Sequence, residues 1–210
     1  MASKILVDEL APQSHATDVT LATGKKIAGD NTQFKITGGS SGNIISTDGV
    51  GALTWGSPPD NNPHFYAYSN TDQTGLADNI PTKVACNTVI TQTGSTYDSA
   101  THYRWTPAVA GTYLITGQAD VSLYSTASDW ALNTYLYIYK NGVEEIKTTV
   151  WESAVSQNHA ISGSVTGVIV LSITDYIELW ANMDTYTAAT WQIHGSSVQA
   201  SRFMAHRLAI

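Results

Sequence analysis

The acidic and nucleophilic side chains of this 210-residue chain show no spacing typical of a catalytic site. Glu144 and Glu145 are adjacent carboxylates, but neighbouring strand residues point to opposite faces, so this pair cannot act as acid and base on one bond. The sequence contains no HExxH, GxSxG or Walker motif, and its six histidines are scattered without metal-ligand spacing. We therefore expect a protein that is not an enzyme, although a hydrolytic site shared between subunits would leave no such signature.

Metal-binding chemistry has few candidates in this sequence. Cys86 is the only cysteine, which excludes an intrachain disulfide and a cysteine-rich zinc site. Asp120, Asp129 and Asp184 can hold calcium if the loops beside them meet, since calcium prefers carboxylate oxygens. Solvation at the surface is the alternative explanation for each. We expect no cofactor, with calcium at these three residues as the one exception to test.

Ring-bearing side chains with short polar neighbours are the strongest binding candidates. They are Tyr124, Trp130, His159, Tyr186 and Trp191, which lie among Ser, Thr, Asn and Asp. Aromatic rings flanked by small polar groups suit sugars, which offer apolar C–H faces and hydroxyls together. The alternative is structural: Trp130 and Trp191 can cap a core, and for Trp191 this is the stronger expectation.

Charge and hydropathy exclude several classes of function. The chain has 10 basic and 17 acidic residues, hence a formal charge of −7, and residues 60–210 hold six of the basic and twelve of the acidic ones. Such a surface disfavours nucleic acid, because phosphate contacts require clustered Lys and Arg. No apolar run approaches the roughly 20 residues that span a bilayer, and the N-terminus has acidic residues where a secretion signal is apolar. We expect synthesis in the cytosol, no membrane insertion and no nucleic-acid partner.

Short runs of β-branched and aromatic residues, separated by Gly, Asn, Asp and Ser, predict an all-β sandwich with very little helix. Asn141-Gly142 predicts a two-residue hairpin turn, since a type I′ turn needs positive φ at both positions. The strands expected in the C-terminal part are about 64–70, 83–90, 102–106, 111–123, 133–140, 143–152, 160–171, 175–182 and 197–209.

Two of these strands carry informative alternation. Residues 111–123 have one apolar face and one polar face interrupted by Leu114, which predicts a half-buried strand. The apolar face consists of Tyr113, Ile115, Ala119, Val121 and Leu123. In 133–140 both faces are apolar or aromatic, and Tyr135, Tyr137 and Tyr139 share one of them. We expect these tyrosines at a subunit interface, with a solvated face as the alternative.

The chain divides near Pro58-Pro59 into a non-globular part and one domain. Residues 1–35 hold short apolar strands but too few apolar residues for a core, and residues 36–59 are rich in glycine. Segments of this kind become ordered through partners. We expect an arm at 1–35 that docks through Ile5, Val7 and Leu10, a stalk at 36–59 and a knob at 60–210. A disordered leader is the alternative for the first part.

Two stretches resemble known families. Residues 36–56, ITGGSSGNIISTDGVGALTWG, resemble a linker of bacteriophage tail fibres and related virion appendages. From Thr82 onward the chain resembles the jelly-roll superfamily of complement C1q and tumour necrosis factor, most specifically in PAVAGTYLI at 107–115 and LSITDYIEL at 171–179. Trp105 and the closing segment Phe203-Met204-Ala205-His206 depart from that pattern. The resemblances imply a homotrimeric antiparallel jelly-roll knob on an N-terminal arm anchored in a virion.

The loops of such a knob give the functional hypothesis. Successive antiparallel strands reverse direction, so loops near 124–132, 153–159 and 183–196 leave the same end, opposite Ile210. That end would carry the five ring-bearing candidates. The leading hypothesis is a trimeric short bacteriophage fibre, anchored to other virion proteins by its N-terminus, whose knob attaches to a host-surface glycan or protein. The alternative is a capsid decoration, cement or head-fibre protein without a receptor role.

Overall fold

The computed structural model describes residues 39–47, 50, 53–58, 63–94, 96–124, 129–152, 160–196 and 198–208. The chain divides into two units, Met1–Pro58 and Pro59–Ile210. Every regular element in the described ranges is a β-strand, and all strand pairs are antiparallel. The expected all-β class is confirmed.

The described part of the first unit is a hairpin. Strand β1 (Ile44–Thr47) pairs with β2 (Leu53–Gly56), so that Ile45 lies opposite Trp55. Ile44 and Ile45 are both 40% exposed although adjacent strand residues point to opposite faces, so apolar side chains reach solvent on both faces. A two-stranded hairpin is marginally stable alone. The expected anchor residues Ile5, Val7 and Leu10 lie outside the described residues.

Thirteen strands of the second unit form two sheets. The strands are β3 (His64–Tyr68), β4 (Gln73–Leu76), β5 (Thr82–Lys83), β6 (Thr88–Thr93), β7 (Tyr97–Asp98), β8 (Arg104–Trp105), β9 (Gly111–Leu123), β10 (Ala131–Lys140), β11 (Val143–Glu152), β12 (Ala160–Leu171), β13 (Ile177–Thr185), β14 (Trp191–Ile193) and β15 (Arg202–Arg207). One sheet has the order β11-β10-β13-β8-β7, with β5 also on β13. The other has the order β4-β14-β9-β15-β3-β6, with β12 on the second edge of β9.

The apolar faces of the two sheets enclose the core. On β9 the residues expected to face inward are buried, except Leu123, which is half-buried, while Leu114 is 40% exposed. A Cβ on Gly117 of β9 would collide with the Leu179 side chain of β13, so the two sheets approach each other closely there. Alternation therefore assigned the faces of this strand correctly.

Aromatic residues concentrate in one part of this core. The Phe65 ring centroid lies 4.9 Å from that of Tyr97, 5.1 Å from that of Trp105 and 5.1 Å from that of Phe203. Tyr113 meets Trp105 edge-on at 5.2 Å. Offset and edge-on arrangements of this kind add about 0.5–1.5 kcal/mol per pair beyond buried area. Trp105 and Phe203, which depart from the resembling family, thus belong to one packed cluster.

Long strands match their expected bounds, and short ones do not. The expected strands 111–123, 143–152 and 160–171 are confirmed as β9, β11 and β12. The strand expected at 175–182 runs instead from Ile177 to Thr185, and the one expected at 197–209 covers only Arg202–Arg207. In the second unit β4, β7 and β14 were not expected, and the single strand expected at 83–90 is instead two short strands in different sheets, β5 and β6.

The turn between β10 and β11 has the predicted conformation. Asn141 and Gly142 have φ values of 54° and 79°, and β10 pairs with β11 across them. The Asn141 side chain also donates to Asp175 at 2.8 Å and accepts from the Tyr176 backbone N–H at 2.9 Å. This asparagine therefore ties two turns at one end of the sandwich together.

Candidate functional site

Two loops meet at the other end of the sandwich, and we call this region the tip. It comprises residues 124, 129–130 and 186–190. The Tyr186 backbone N–H donates to the Trp130 carbonyl at 3.1 Å, and the Tyr124 N–H donates to the Thr190 carbonyl at 3.0 Å. The expected proximity of these two loops is confirmed. The third expected loop, 153–159, lies outside the described residues, and His159 with it.

Asp129 joins the two loops of the tip. Its carboxylate is buried, and Oδ1 accepts backbone N–H groups of Trp130 at 2.9 Å and Thr187 at 3.0 Å. Burial alone would raise the pKa of Asp129, but the N–H donors of Trp130 and Thr187 outweigh it and hold that pKa below its ordinary value. The negative charge of Asp129 therefore stabilises the contact between the two loops.

Asp78 supports the tip, although nothing in the sequence predicted that it would lie near these loops. Asp78 Oδ1 accepts the Thr185 backbone N–H at 2.7 Å and the Thr185 hydroxyl at 2.8 Å. The same hydroxyl oxygen accepts the Ala189 N–H at 2.8 Å. Asp followed by Asn79, which has a φ of 53°, is a turn signal in sequence, but its partner 107 residues away is not readable there.

Trp130 and Tyr186 form a stacked aromatic pair, which we call the aromatic shelf. Their ring centroids are 4.1 Å apart and their planes differ by 14°. Tyr186 is 57% exposed, and Trp130 is half-buried beneath the stack. Because one face of each ring is covered by the other, the outer face of Tyr186 is the surface left for a ligand. Tyr124, in the same pair of loops, is 52% exposed.

Trp191 does not belong to this surface. It is fully buried, and its indole N–H donates to the Ala77 carbonyl at 2.8 Å. The prediction that Trp191 contacts a receptor is therefore wrong, and the structural alternative is correct. The reason is the strand alternation of β14, which buries Trp191 and Ile193 and leaves Gln192 between them on the outer face.

The calcium hypothesis does not hold for the described residues. Among them no group of three or more His, Cys, Asp or Glu side chains is placed to hold a metal ion. Asp129 Oδ1 accepts two backbone N–H groups, and Asp184 accepts from the Asn133 side chain at 3.1 Å. The loops meet as expected, but the carboxylates of Asp120, Asp129 and Asp184 do not converge.

The other chemically suggestive residues are placed apart from the tip. Cys86 is fully buried, and burial raises the pKa of its thiol to about 12, which excludes a reactive thiolate at neutral pH. Glu144 lies opposite Tyr139 at a register shift of β11, with Glu145 the extra residue. The alternation of side chains between the two faces does not extend through this bulge. Alternation alone therefore does not show that the two carboxylates point to opposite faces, and both residues are exposed.

The tyrosine face of β10, formed by Tyr135, Tyr137 and Tyr139, is largely covered by its own neighbours. Lys147 Nζ lies 3.8 Å above the Tyr135 ring, and Trp180 stacks on Tyr139 at 4.9 Å. Tyr137 is only 4% exposed, and burial raises its pKa. These contacts cover much of the tyrosine face within one chain, although Tyr135 and Tyr139 remain half-buried.

The outer face of the other sheet carries more exposed apolar surface. Leu114, Val168, Val170 and Met204 are 40%, 58%, 67% and 36% exposed, and we call this surface the apolar face. Leu114 lies opposite Val168 in the register of β9 and β12. Leu114 and Met204 also line a shallow, mostly apolar pocket with His64, Tyr66 and His206. Sequence reasoning noted Leu114 only as an exception and did not recognise this surface.

No protein-family model matches the chain, and no curated protein is significantly similar to it. Within the described ranges, no helix has the length and apolar character needed to cross a membrane.

Proposed function

We propose that this chain is a structural virion protein of a bacteriophage: a homotrimeric short fibre, anchored by its N-terminal part, whose C-terminal sandwich binds a host-surface glycan. The observation that carries the receptor role is the aromatic shelf, because it exposes an aromatic ring beside polar backbone and hydroxyl groups. The virion assignment is supported by the fibre-like sequence of residues 36–56.

The strand order supports a jelly roll of the C1q and tumour-necrosis-factor type. Of the principal strands, β3, β15, β9 and β12 lie side by side in one sheet, and β8, β13, β10 and β11 in the other. Apart from the β10-β11 hairpin, the chain crosses from one sheet to the other between successive principal strands. This alternation between two four-strand layers is how a jelly roll is wound.

The position of the tip supports a contact role. Pro63, the first described residue of the second unit, lies beside the last strand, because the Arg207 N–H donates to the Pro63 carbonyl at 3.0 Å and Arg207 pairs with Tyr113. The other end of β9 pairs with Trp191, next to the tip. Ten residues at about 3.3 Å each place the tip about 33 Å from where the chain enters the sandwich. The aromatic shelf thus lies at the opposite end of the sandwich from Pro63.

The proposed trimer uses the apolar face. Monomeric proteins rarely leave contiguous apolar surface of this kind exposed, and homo-oligomer interfaces are more apolar than the remaining surface. The tyrosine face is the less suitable candidate, because Lys147 and Trp180 already cover its rings. Three shelves on one particle would make weak individual glycan contacts sufficient for attachment.

Replacement of Trp130 and Tyr186 by alanine tests the receptor role. We expect virions carrying the double variant to adsorb to host cells at least about tenfold more slowly, because loss of stacking weakens every contact of a multivalent knob. Tyr186→Ala alone removes the exposed ring with little effect on folding, since that side chain is 57% exposed. The measurement is the adsorption rate constant of purified particles.

A matched control is Tyr176→Ala, whose ring contacts Arg104 at the opposite end of the sandwich. This variant should adsorb normally. Unchanged adsorption of the Trp130/Tyr186 variant would contradict the receptor role and favour the decoration, cement or head-fibre alternative. Immunogold labelling of intact particles separates these further, because a fibre places gold at the tail and a decoration protein places it over the head.

A further inference from the structure

Three polar residues from distant parts of the sequence meet on the outer face of the seven-stranded sheet. Ser122 Oγ lies 2.8 Å from His194 Nε2, and His194 Nδ1 lies 3.8 Å from Asp72 Oδ1. Ser122 is on β9, His194 follows β14, and Asp72 precedes β4. The order serine, imidazole and carboxylate is that of a nucleophile, its general base and the group that orients the base.

The hydrogen bonds allow the arrangement of protons that a serine nucleophile needs. The Gln192 amide donates to Ser122 Oγ at 2.9 Å, so the serine oxygen is an acceptor there. The Ser122 hydroxyl has two acceptors within reach: the Leu123 carbonyl at 3.3 Å and, in the tautomer protonated on Nδ1, His194 Nε2 at 2.8 Å. An imidazole that accepts at Nε2 carries its proton on Nδ1, which is the atom that faces Asp72. This tautomer is the one that general-base catalysis needs.

The backbone holds these groups in place. Gln192 lies opposite Ser122 in the register of β14 and β9, and the His194 N–H donates to the Asp120 carbonyl at 2.7 Å. Asp72 Oδ1 accepts the Gly195 N–H at 2.8 Å. A Cβ on Gly195 would collide with the Thr71 backbone, so the chains that carry Asp72 and His194 pack without space for a side chain. The carboxylate therefore stays 3.8 Å from the imidazole, beyond hydrogen-bond distance, and catalytic contacts are often this long before a substrate binds.

We propose that Ser122, His194 and Asp72 form a hydrolytic site for short-chain carboxylic esters. This site is distinct from the aromatic shelf and does not rest on the proposed receptor role. It also departs from the expectation that the protein is not an enzyme. The sequence gives no sign of it, because Ser122 and His194 are 72 residues apart and Asp72 lies on a third segment.

The chemistry follows from these contacts. Ser122 Oγ attacks the ester carbonyl while His194 Nε2 takes the hydroxyl proton, and the carbonyl electron pair moves onto the oxygen. When the carbon–oxygen bond to the alcohol breaks, His194 returns this proton to the departing alkoxide, which leaves an acyl-serine. Water then attacks the acyl group while His194 Nε2 takes one of its protons. When the bond from the acyl carbon to Ser122 Oγ breaks, His194 returns this proton to Ser122 Oγ, and the carboxylic acid is released and ionises. In this proposal the Gln192 amide, whose nitrogen lies 2.9 Å from Ser122 Oγ and 3.4 Å from His194 Nε2, is the side-chain donor to the oxyanion.

The surroundings indicate which esters fit. Ser122 is 8% exposed, whereas the His194 and Asp72 side chains are 31% and 46% exposed. Solvent therefore reaches the base His194, while the nucleophile Ser122 is largely covered. A short acyl group is therefore favoured over a long one. A shallow polar groove on the same sheet face, lined by Gln118, Ser162, Gly163 and Ser164, suits an alcohol part that carries hydroxyl groups.

Hydrolysis of p-nitrophenyl acetate by the full-length protein tests this proposal. We expect Ser122→Ala and His194→Gln each to lower kcat/KM about 100-fold, since a positioned general base contributes 10²–10⁴-fold. Asp72→Asn should lower kcat more than it changes KM, because Asp72 orients the base without touching substrate. A fluorophosphonate probe should label Ser122, which peptide mass spectrometry locates.

Two control variants separate this site from general surface reactivity. His102→Gln removes an exposed imidazole that contacts Asp98 at 2.6 Å but has no serine partner among its described contacts, and it should keep full activity. Ser172→Ala removes an exposed serine on a turn and should also be silent. Equal rates for the wild type and Ser122→Ala, with no label on Ser122, would overturn the proposal even where circular dichroism shows both proteins folded.

Discussion

At the scale of single residues, Asp129 shows how one buried charge organises the tip. Replacing it by alanine leaves the Trp130 and Thr187 N–H groups without their acceptor. We expect a loss of about 1–3 kcal/mol in the free energy of unfolding at pH 7, the usual cost of leaving a buried donor without an acceptor. Chemical denaturation monitored by fluorescence measures it. Glu145→Ala, which removes an exposed carboxylate, should change stability by less than about 0.5 kcal/mol.

The effect of Asp129→Ala has a defined pH dependence. The pKa of Asp129 is lowered in the folded state from an ordinary value of 3.8. The stability contributed by its carboxylate is therefore fully present above that ordinary value and is lost as the pH falls through the lowered folded pKa. The difference between wild type and variant should shrink below about pH 4. A difference that stays constant down to acid pH would show that the charge of Asp129 does not hold the loops.

Residue type alone could not distinguish exposed from buried aromatic side chains in this region. Tyr186 and Trp191 are five positions apart in similar polar surroundings, yet one is 57% exposed and the other fully buried. The difference depends on β14, a strand of three residues whose pairing with β9 and β4 fixes its inner face. Such a short strand carries too little alternation to be read from sequence. The stacking of Tyr186 on Trp130 likewise depends on loop contacts that only the folded chain provides.

At the scale of elements, the glycines of β12 show how the edges of the two sheets fit together. Gly163 and Gly167 alternate with buried apolar residues on the inner face of β12, and side chains of β11 fill the space above them. A Cβ on Gly163 would collide with Val150, and one on Gly167 would collide with Ile146. Neither glycine has a positive φ, so alanine is compatible with the backbone at both positions.

The two glycines should therefore respond differently to alanine. The obstacle at Gly167 is Cδ1, the free end of the Ile146 side chain, which can rotate away. The obstacle at Gly163 includes both γ carbons and the Cβ of Val150, a β-branched side chain with little freedom. We expect Gly163→Ala to lose about 1–3 kcal/mol by overpacking and Gly167→Ala to lose less than about 1 kcal/mol. Thermal unfolding of both variants checks this, and equal losses would contradict the packing explanation.

The elements that sequence predicted best are those with the longest alternating patterns. β9, β11 and β12 have ten or more residues each, and their bounds were obtained from periodicity and turn residues alone. β4 and β14 were not predicted, because they form by pairing with each other and, for β14, with the last residues of β9. β4 and β14 are more than a hundred residues apart in the sequence. Short strands of this kind form because tertiary pairing stabilises them, and the intrinsic strand propensity of their own sequences contributes little.

At the scale of the whole molecule, the two outer faces of the sandwich differ in how they are covered. On one sheet, cations and stacked rings cover the tyrosine face within the chain. On the other sheet, Leu114, Val168, Val170 and Met204 remain exposed, whereas the same face near the tip is polar. This division leaves one exposed apolar region on the described part of the second unit. It is the physical basis of the proposed trimer.

The subunit contact can be tested in the full-length protein and in residues 60–210. Both should sediment as trimers, the full chain at three times its mass of 22.5 kDa, because the core and the apolar face lie in the second unit. Leu114→Asp with Val168→Asp places two carboxylates in each of three contacting faces, and the unpaired buried charge should dissociate the trimer to folded monomers. Tyr135→Asp is the matched change on the tyrosine face and should leave the trimer intact. If Tyr135→Asp instead gives monomers while Leu114→Asp with Val168→Asp stays trimeric, the tyrosine face is the interface, and the exposed apolar face has another occupant.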